Sequence, residues 1–441
     1  MKWLIGIGIL LLFLISLAVG MLNVDNPLDP GAAKWLAAEG SNINPSDNGY
    51  LYLMGIVAST EEDPVVVGQQ RVNAYLQAEK SIDVHNAPFT FEDYPDSERL
   101  IKPENNLFCK KSSLDCFKDI IRNKDEIAQL LVDNSMLRDR YQNFLSYDHF
   151  QTSLKPTGYE VIAPFEYLVA GNQALHLNII QLAISGKEDQ SLKLILADMA
   201  ALRAHFPSAD SLIFKIVLVS LIGEDIELLS HLYTHGYYEQ DILFSSGLSE
   251  HLSKEERSLE SAMRREYLMT ADLYRNLDQN PDFFELGGDT PAWVVRALFK
   301  LNTTLNTSYA KYHEIAQLSL MTPSEFNDVM NQTDEANVAD KVSSFSIRNY
   351  AGSILATVAG PNFTDYVARL FDLECKIKLL KIRLLMPPNA LDQAYDVTKL
   401  GSVMDIANPY NGELPYVDSE AKKLCYTGPY EDTQGLRCIS L

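Results

Sequence analysis

Positive charge is what this sequence has least of. Its 441 residues include 37 lysines and arginines against 59 aspartates and glutamates, a formal net charge of -22. Such a chain repels phosphate, which excludes DNA and RNA as partners and excludes broad contact with anionic lipid head groups. Cysteine is also scarce. The five cysteines include no C-x-x-C spacing, so a zinc site built on their thiolates is excluded. Catalytic signatures are missing as well: there is no G-x-S-x-G, no H-E-x-x-H and no Walker loop. Ser308-Tyr309-Ala310-Lys311 fits S-x-x-K, but the S-D-N and K-T-G elements that give that motif its chemistry are absent. No cofactor is implied. Apolar residues make up 46%, which permits a large core and excludes global disorder.

Long apolar runs are also missing, with one exception. Trp3 to Leu22 carries no charge. A helix of about 20 apolar residues spans a hydrocarbon core about 30 Å thick. Lys2 precedes the run and Asp25 is the first charge after it. The positive-inside bias then keeps the N-terminus in the cytoplasm and sends the rest across. A cleaved secretory signal is the alternative, since Ala18-Val19-Gly20 offers small residues at a suitable spacing. Against cleavage, the run exceeds the usual core of about 7–15 residues and continues through Met21-Leu22. The expectation is an uncleaved anchor, with the membrane as the partner of this segment.

Beyond the anchor, a proline-bearing linker over 23–48 leads to an α-helical body over 49–388 and a small β lobe over 389–441. The anchor, then Asp25-Asn26-Pro27-Leu28, then Asn44-Pro45 and the run Asn48-Gly49-Tyr50-Leu51-Tyr52-Leu53-Met54-Gly55, resemble exported, inner-membrane-anchored helical proteins of bacteria that have no assigned activity. The closing segment is similar to the proline- and glycine-turned ends of several such exported proteins. The resemblance implies a single-pass protein of the cytoplasmic membrane with its body in the periplasm.

Within the body, Asp63-Pro64 is a helix start, with Asp at the N-cap and Pro where a missing N–H costs nothing. That helix runs to about Lys80, with Val65, Val72, Leu76 and Glu79 on one side. The polar, proline-rich stretch 82–106 reads as a wrap over the body. Further helices are expected over 113–121, 124–145, 164–185 and 189–204. Ser208 opens one that stops at Gly223, and another follows over 224–235. Ser253 with Glu256 forms a capping box for a helix through Leu277. Thr290-Pro291 opens one to about Leu318, and Thr322-Pro323 another. The last helices fall at 346–358 and 363–385. Strand, turn, strand follow over 414–427, with a third strand over 437–441.

In an oxidising compartment the near pairs Cys109 with Cys116 and Cys425 with Cys438 become disulfide candidates. Cys375 is left over as a small buried hydrophobe. His231 and His235 are four apart on one helix face, as two metal ligands would be, or as dipole partners at a helix end. Glu166 and His176 stand out in an apolar helix but lie almost three turns apart. Arg264-Arg265-Glu266 interrupts apolar turns. An ion pair from Glu260 to Arg264 explains it, or one arginine turns inward to grip an anion. Lys376, Lys378, Lys381 and Arg383 read as charged edges of a packed helix.

The function expected from all this is that of a membrane-anchored binding or scaffold protein of the bacterial envelope, with an envelope protein as partner. The alternative is an anchored hydrolase with an acid–base pocket between helices. Convergence of Glu166, His176 and Arg264 in one cavity would favour the alternative.

Overall fold

The structure is a computed structural model. It describes residues 20, 24–37, 45–80, 90–103, 114–239, 251–280, 292–336, 347–358, 363–388, 396–402 and 404–441. Apart from Gly20, the expected anchor Trp3 to Leu22 lies outside the described residues. Among those described, no helix is long and apolar enough to cross a membrane. The body is mainly helical and ends in a small antiparallel sheet.

Its centre is the helix α9 (Leu212–Thr234), most of whose residues are buried, although Ile213 is exposed. From Leu212 to Ile222 it is almost wholly apolar, with Lys215 the single charge, so this part folds where other elements cover most of it. Ser211, not Ser208, caps it and accepts from Phe214 N–H at 3.3 Å. The helix also passes straight through Gly223, where a stop was expected. A Cβ on Gly223 would meet Leu436 at 2.8 Å. This glycine is there for close packing against a residue far along the chain, which local sequence does not reveal.

Around α9 stand α7 (Glu166–Ile184) and α8 (Glu188–His205) on one side and α16 (Thr364–Leu385) on the other. The α7–α8 turn stops at Gly186 and the end of α9 at Gly236, both with positive φ. There the backbone closes in the Schellman pattern, with Lys187 N–H on Leu182 and Tyr237 N–H on Leu232. Before these come α1 (Pro30–Ala37), α2 (Tyr50–Met54), α3 (Pro64–Glu79), α4 (Leu114–Arg122), α5 (Lys124–Asp133) and α6 (Ser135–Leu145). Asp63 caps α3 as expected, accepting from Val65 and Val66. The buried face of α3 is Val67, Arg71, Val72 and Tyr75. Val65 and Leu76, expected on the inner side, are exposed. The single helix expected over 124–145 breaks at Asn134, whose side chain turns back onto the Leu130 carbonyl. The part of the expected wrap that is described, 90–103, does cover the body: Asp93 pairs with Arg71 and Arg99, and Tyr94 donates to Glu62.

Next come α10 (Lys254–Arg257), α11 (Glu260–Gln279), α12 (Ala292–Ala297), α13 (Leu301–Leu318), α14 (Pro323–Ala336) and α15 (Tyr350–Val358). The Ser253–Glu256 capping box forms as expected, and Thr322 with Glu325 makes a similar reciprocal pair. Neither expected long helix is continuous, however. Ser258 turns to ψ 123° between α10 and α11. The helix ending at Leu318 restarts at Leu301, where Asn349 accepts from Lys300 N–H.

The N-terminal stretch 24–37 is fixed to this half. Asp25 caps α13, accepting from Asn302 N–H at 2.7 Å and Thr303 N–H at 3.1 Å. Trp35 of α1 sits edge-on to Tyr267, Tyr309 and His313.

Strands β1 (Tyr416–Asp418), β2 (Lys423–Cys425) and β3 (Cys438–Ser440) form the sheet in the order β1-β2-β3. Cys425 lies opposite Cys438 in register, and the two form the expected disulfide. A sheet this small needs outside support. Here β3 docks on α9 and α16, and Leu436, Ile439 and Leu441 are buried in the common core.

The basic face of α16 corrects an expectation. Lys376, Lys378 and Arg383 are buried rather than edging the surface. Lys376 reaches Glu227 and the Gly435 and Cys438 carbonyls. Arg383 binds Thr234 and the Pro387 and Pro388 carbonyls. The C-terminal segment supplies most of these acceptors, so the cations face inward.

Candidate binding cleft

A cleft of about 680 Å³ opens between α11, the start of α2 and the irregular segment 151–156. Its floor is one stripe of α11. Ser261, Arg264, Leu268, Asp272 and Arg275 recur at spacings of three and four, which places them on one helix face.

The wall segment is held in place before any ligand arrives. Asn48 binds both the N–H and the carbonyl of Gln151. Asp210 accepts from the N–H and the hydroxyl of Thr152, each at 3.0 Å. Arg265 turns inward beneath the wall. It donates to the Leu154 carbonyl at 3.2 Å and to Glu160 at 2.5 Å, and lies 3.6 Å from Asp210. Burial pushes the Glu160 carboxyl up to about 7, against the pull of Arg265. Burial likewise raises Asp210 and Glu266, which lies beside Arg265 in the chain.

Other groups in the cleft have no such commitments. Arg264 makes no ion pair or hydrogen bond among the described residues, and the pair expected with Glu260 does not form. Arg275 is exposed and also unpaired among them. The Tyr50 hydroxyl is 2% exposed as a residue and has no hydrogen-bond partner, and the Gln151 Oε1 is buried and equally unmatched. Burial raises the Tyr50 hydroxyl far above its ordinary value, so it stays protonated and able to donate. Both atoms are closed to solvent, and unmatched buried atoms also occur away from the cleft, at His205 and Tyr267 among others. Four cations line the cleft, Lys155, Arg264, Arg265 and Arg275, against the carboxylates Asp210 and Asp272. Within so acidic a chain this is a local reversal of sign.

The other expected site residues lie elsewhere. Glu166 is exposed and pairs with Lys102 at 3.2 Å. His176 belongs to a sealed cluster with Tyr141, Asn172, Asp198 and Asp225, none more than 4% exposed. Its Nε2 lies 2.6 Å from Asp225, while Asn172 and Tyr141 donate to Asp198 at 3.0 Å. Burial pushes both carboxyls well up and the imidazole down. The cluster therefore keeps its protons and carries little charge. Glu166, His176 and Arg264 do not meet in one cavity.

His231 is buried and stacks on Phe117 at 5.4 Å, and His235 packs on the same ring. The His235 Nδ1 lies 2.9 Å from the His231 carbonyl, the helix-end arrangement. Among the described residues no group of three or more His, Cys, Asp or Glu side chains is arranged to hold a metal. Cys375 is a buried free thiol. The pairing of Cys109 with Cys116 lies outside the described residues. No protein-family model, curated protein or solved structure matches this chain.

Sequence reasoning found Arg264 and Arg265 as charges inside an apolar pattern. It missed Arg275, although the eleven-residue spacing from Arg264 was readable. It also missed Tyr50 and Gln151, because an unmatched hydroxyl or amide is a property of the folded state alone.

Proposed function

We propose that this protein is a non-catalytic binding protein of the bacterial envelope, held at the membrane by Trp3 to Leu22, with its ligand in the cleft over α11. The observation that carries the binding reading is the cleft itself, lined by Arg264 and Arg275, which have no ion pair among the described residues. The volume is that of ordinary small-ligand sites, roughly 300–1,000 Å³. A wall stapled by Asn48, Asp210 and Arg265 loses little entropy on binding. The absence of any catalytic motif and the scattering of Glu166, His176 and Arg264 favour binding over hydrolysis.

The anchor reading draws on the length and neutrality of the first run, and the cap that Asp25 places on α13 suits a body seated close to its anchor. Two measurements test the proposal. Full-length protein is extracted from its own membranes in mild detergent, and mass spectrometry identifies what it releases on denaturation. The wild type should carry a species that Ser261→Trp, which fills the cleft, does not. Identical contents would sink the binding reading. A phosphatase fused to the C-terminus should be active, and a fusion active only in cytosolic form overturns the placement.

A further inference from the structure

We infer that the body is seated directly on the membrane, with the face around Val24, Arg296 and Tyr350 among the phospholipid head groups. The seating rests on Trp3 to Leu22 spanning the bilayer, as proposed above, and adds which face of the body the membrane meets. The first observation is that from Val24 onward the chain is bound to the body. The Val24 carbonyl accepts from Arg348. Asp25 caps α13. The Asn26 carbonyl accepts from Asn302 at 3.1 Å, and the Pro27 carbonyl from Asn306 at 2.9 Å. The Asp29 N–H donates to the Asn306 Oδ1 at 2.8 Å. The stretch therefore lies along the first turns of α13 and leaves no hinge after Val24.

The second observation is reach. At about 1.5 Å per residue, the run Trp3 to Leu22 is just long enough to cross about 30 Å of hydrocarbon, so Leu22 marks its outer edge. Only Asn23 separates Leu22 from Val24. Two Cα steps of about 3.8 Å reach about 8 Å at most. Each head-group layer is about 5–8 Å deep. Val24 therefore stands no higher than the outer limit of that layer, and the residues bound to it come down with it.

The third observation is what surrounds Val24. It is 62% exposed itself, and Tyr350 is 49% and Ile354 37% exposed. Tyr350 follows Arg348 by two positions, and Ile354 comes one turn later on the same face of α15. The Ala351 N–H on the Leu298 carbonyl joins this turn to the stretch between α12 and α13. There Arg296 is exposed and makes no ion pair among the described residues. Tyrosine rings and long basic side chains are the groups that favour head-group level. The charge agrees. Arg296 and Lys300 line one hollow with Asp25 and Asp278, and Arg348 beside Val24 adds a third cation. This face is therefore not acidic, although the chain carries -22. It can meet lipid phosphates that the acidic chain at large would repel.

The test uses full-length protein in phosphatidylcholine nanodiscs, with and without a lipid that carries a nitroxide on its head group. Tyr350→Cys, Arg296→Cys and Val132→Cys are each labelled with a fluorescent maleimide, and wild type treated alike gives the background. Val132 is 69% exposed on α5, which packs on α6 and α7 in the other half of the body. The labels at Tyr350 and Arg296 should lose about half their fluorescence to the nitroxide, as probes at head-group level do, and the label at Val132 little. Circular dichroism shows that the variants fold, and the two face positions back each other if one does not. Face labels as bright with the nitroxide as without it overturn the seating, and so does equal quenching at Val132. Washing the membranes in alkaline carbonate separates the two readings. Protein released by the wash removes the anchor and the seating together. Protein that stays bound while its face labels are unquenched removes the seating alone.

Discussion

Two regions of this molecule bury polar groups, and they treat them differently. In the seam between α9, α16 and β3, each buried ionic side chain holds at least one partner, although the Arg383 and Arg437 Nε are unmatched. Lys376 holds Glu227 and two carbonyls, Arg437 holds Asp372 at 3.1 Å, and Tyr410 donates to the same Asp372 at 2.8 Å. In the cleft over α11, Tyr50 and Gln151 are buried with atoms unmatched, and two arginines have no counter-ion among the described residues. A satisfied network needs nothing from outside and fixes the packing. An unsatisfied one is stable only because the rest of the fold outweighs it.

The largest expected effect would break the seam. Lys376→Ala leaves Glu227 without its cation, holding only the Ser440 N–H at 3.3 Å, and loses two carbonyl contacts. Burial alone would raise the Glu227 carboxyl, but Lys376 outweighs it and holds the group below its ordinary range. Removing one member of such a pair costs about 3–5 kcal/mol. Urea unfolding should show the midpoint falling accordingly, and a loss below about 1 kcal/mol would mean that the seam tolerates an orphan as the cleft does.

A second prediction sharpens the contrast with a polar group that lacks partners but faces no cleft. His205 is 1% exposed, both ring nitrogens are unmatched, and the ring stacks on Phe144 at 5.3 Å. Burial, aided by His149, pushes it from 6.5 down to about 4. Its folded value lies below its unfolded one, so between those values the unfolded chain binds more protons. His205 therefore contributes stability above pH 6.5 that is lost as pH falls toward 4. Glu160, Asp372 and Glu374 are raised by burial to about 7, 6 and 7, and act with the opposite sign in the same range. The measurement is thus a difference: wild type should lose up to about 3 kcal/mol more than His205→Leu between neutral pH and pH 4. Parallel stability curves for the two proteins would remove His205 from the account.

The smallest pair of effects sets one tyrosine against another. Tyr410→Phe takes a donor from a buried carboxylate and should cost about 1–2 kcal/mol. Tyr50→Phe deletes a buried hydroxyl that has no partner and should raise stability by up to about 1 kcal/mol. Thermal melts of the free protein decide this, and a Tyr50→Phe protein as destabilised as Tyr410→Phe would close the comparison against the cleft.

The helix starts at Asp63, Ser253 and Thr322 were legible because a cap is made by residues two or three apart. The continuous course of α9 through Gly223 was not, since the reason lies in Leu436. The breaks at Asn134 and Ser258 were also hidden, because each is settled by what the flanking helices pack against. The sheet and its disulfide were readable from turn residues and cysteine spacing. Of the cleft, the arginine pair could be read as charge out of place, whereas its depth, its wall and its orphans exist only once segments some two hundred residues apart have met.

The contact of Leu436 with Gly223 sets an order of events. Ser230 on the same helix donates to the Ser440 carbonyl, 210 positions later. Until the ribosome has delivered that far stretch, the central helix stands with Glu227 and Ser230 uncovered, and the middle of the protein is incomplete. The core around the central helix is therefore complete only when the C-terminal stretch has docked on it.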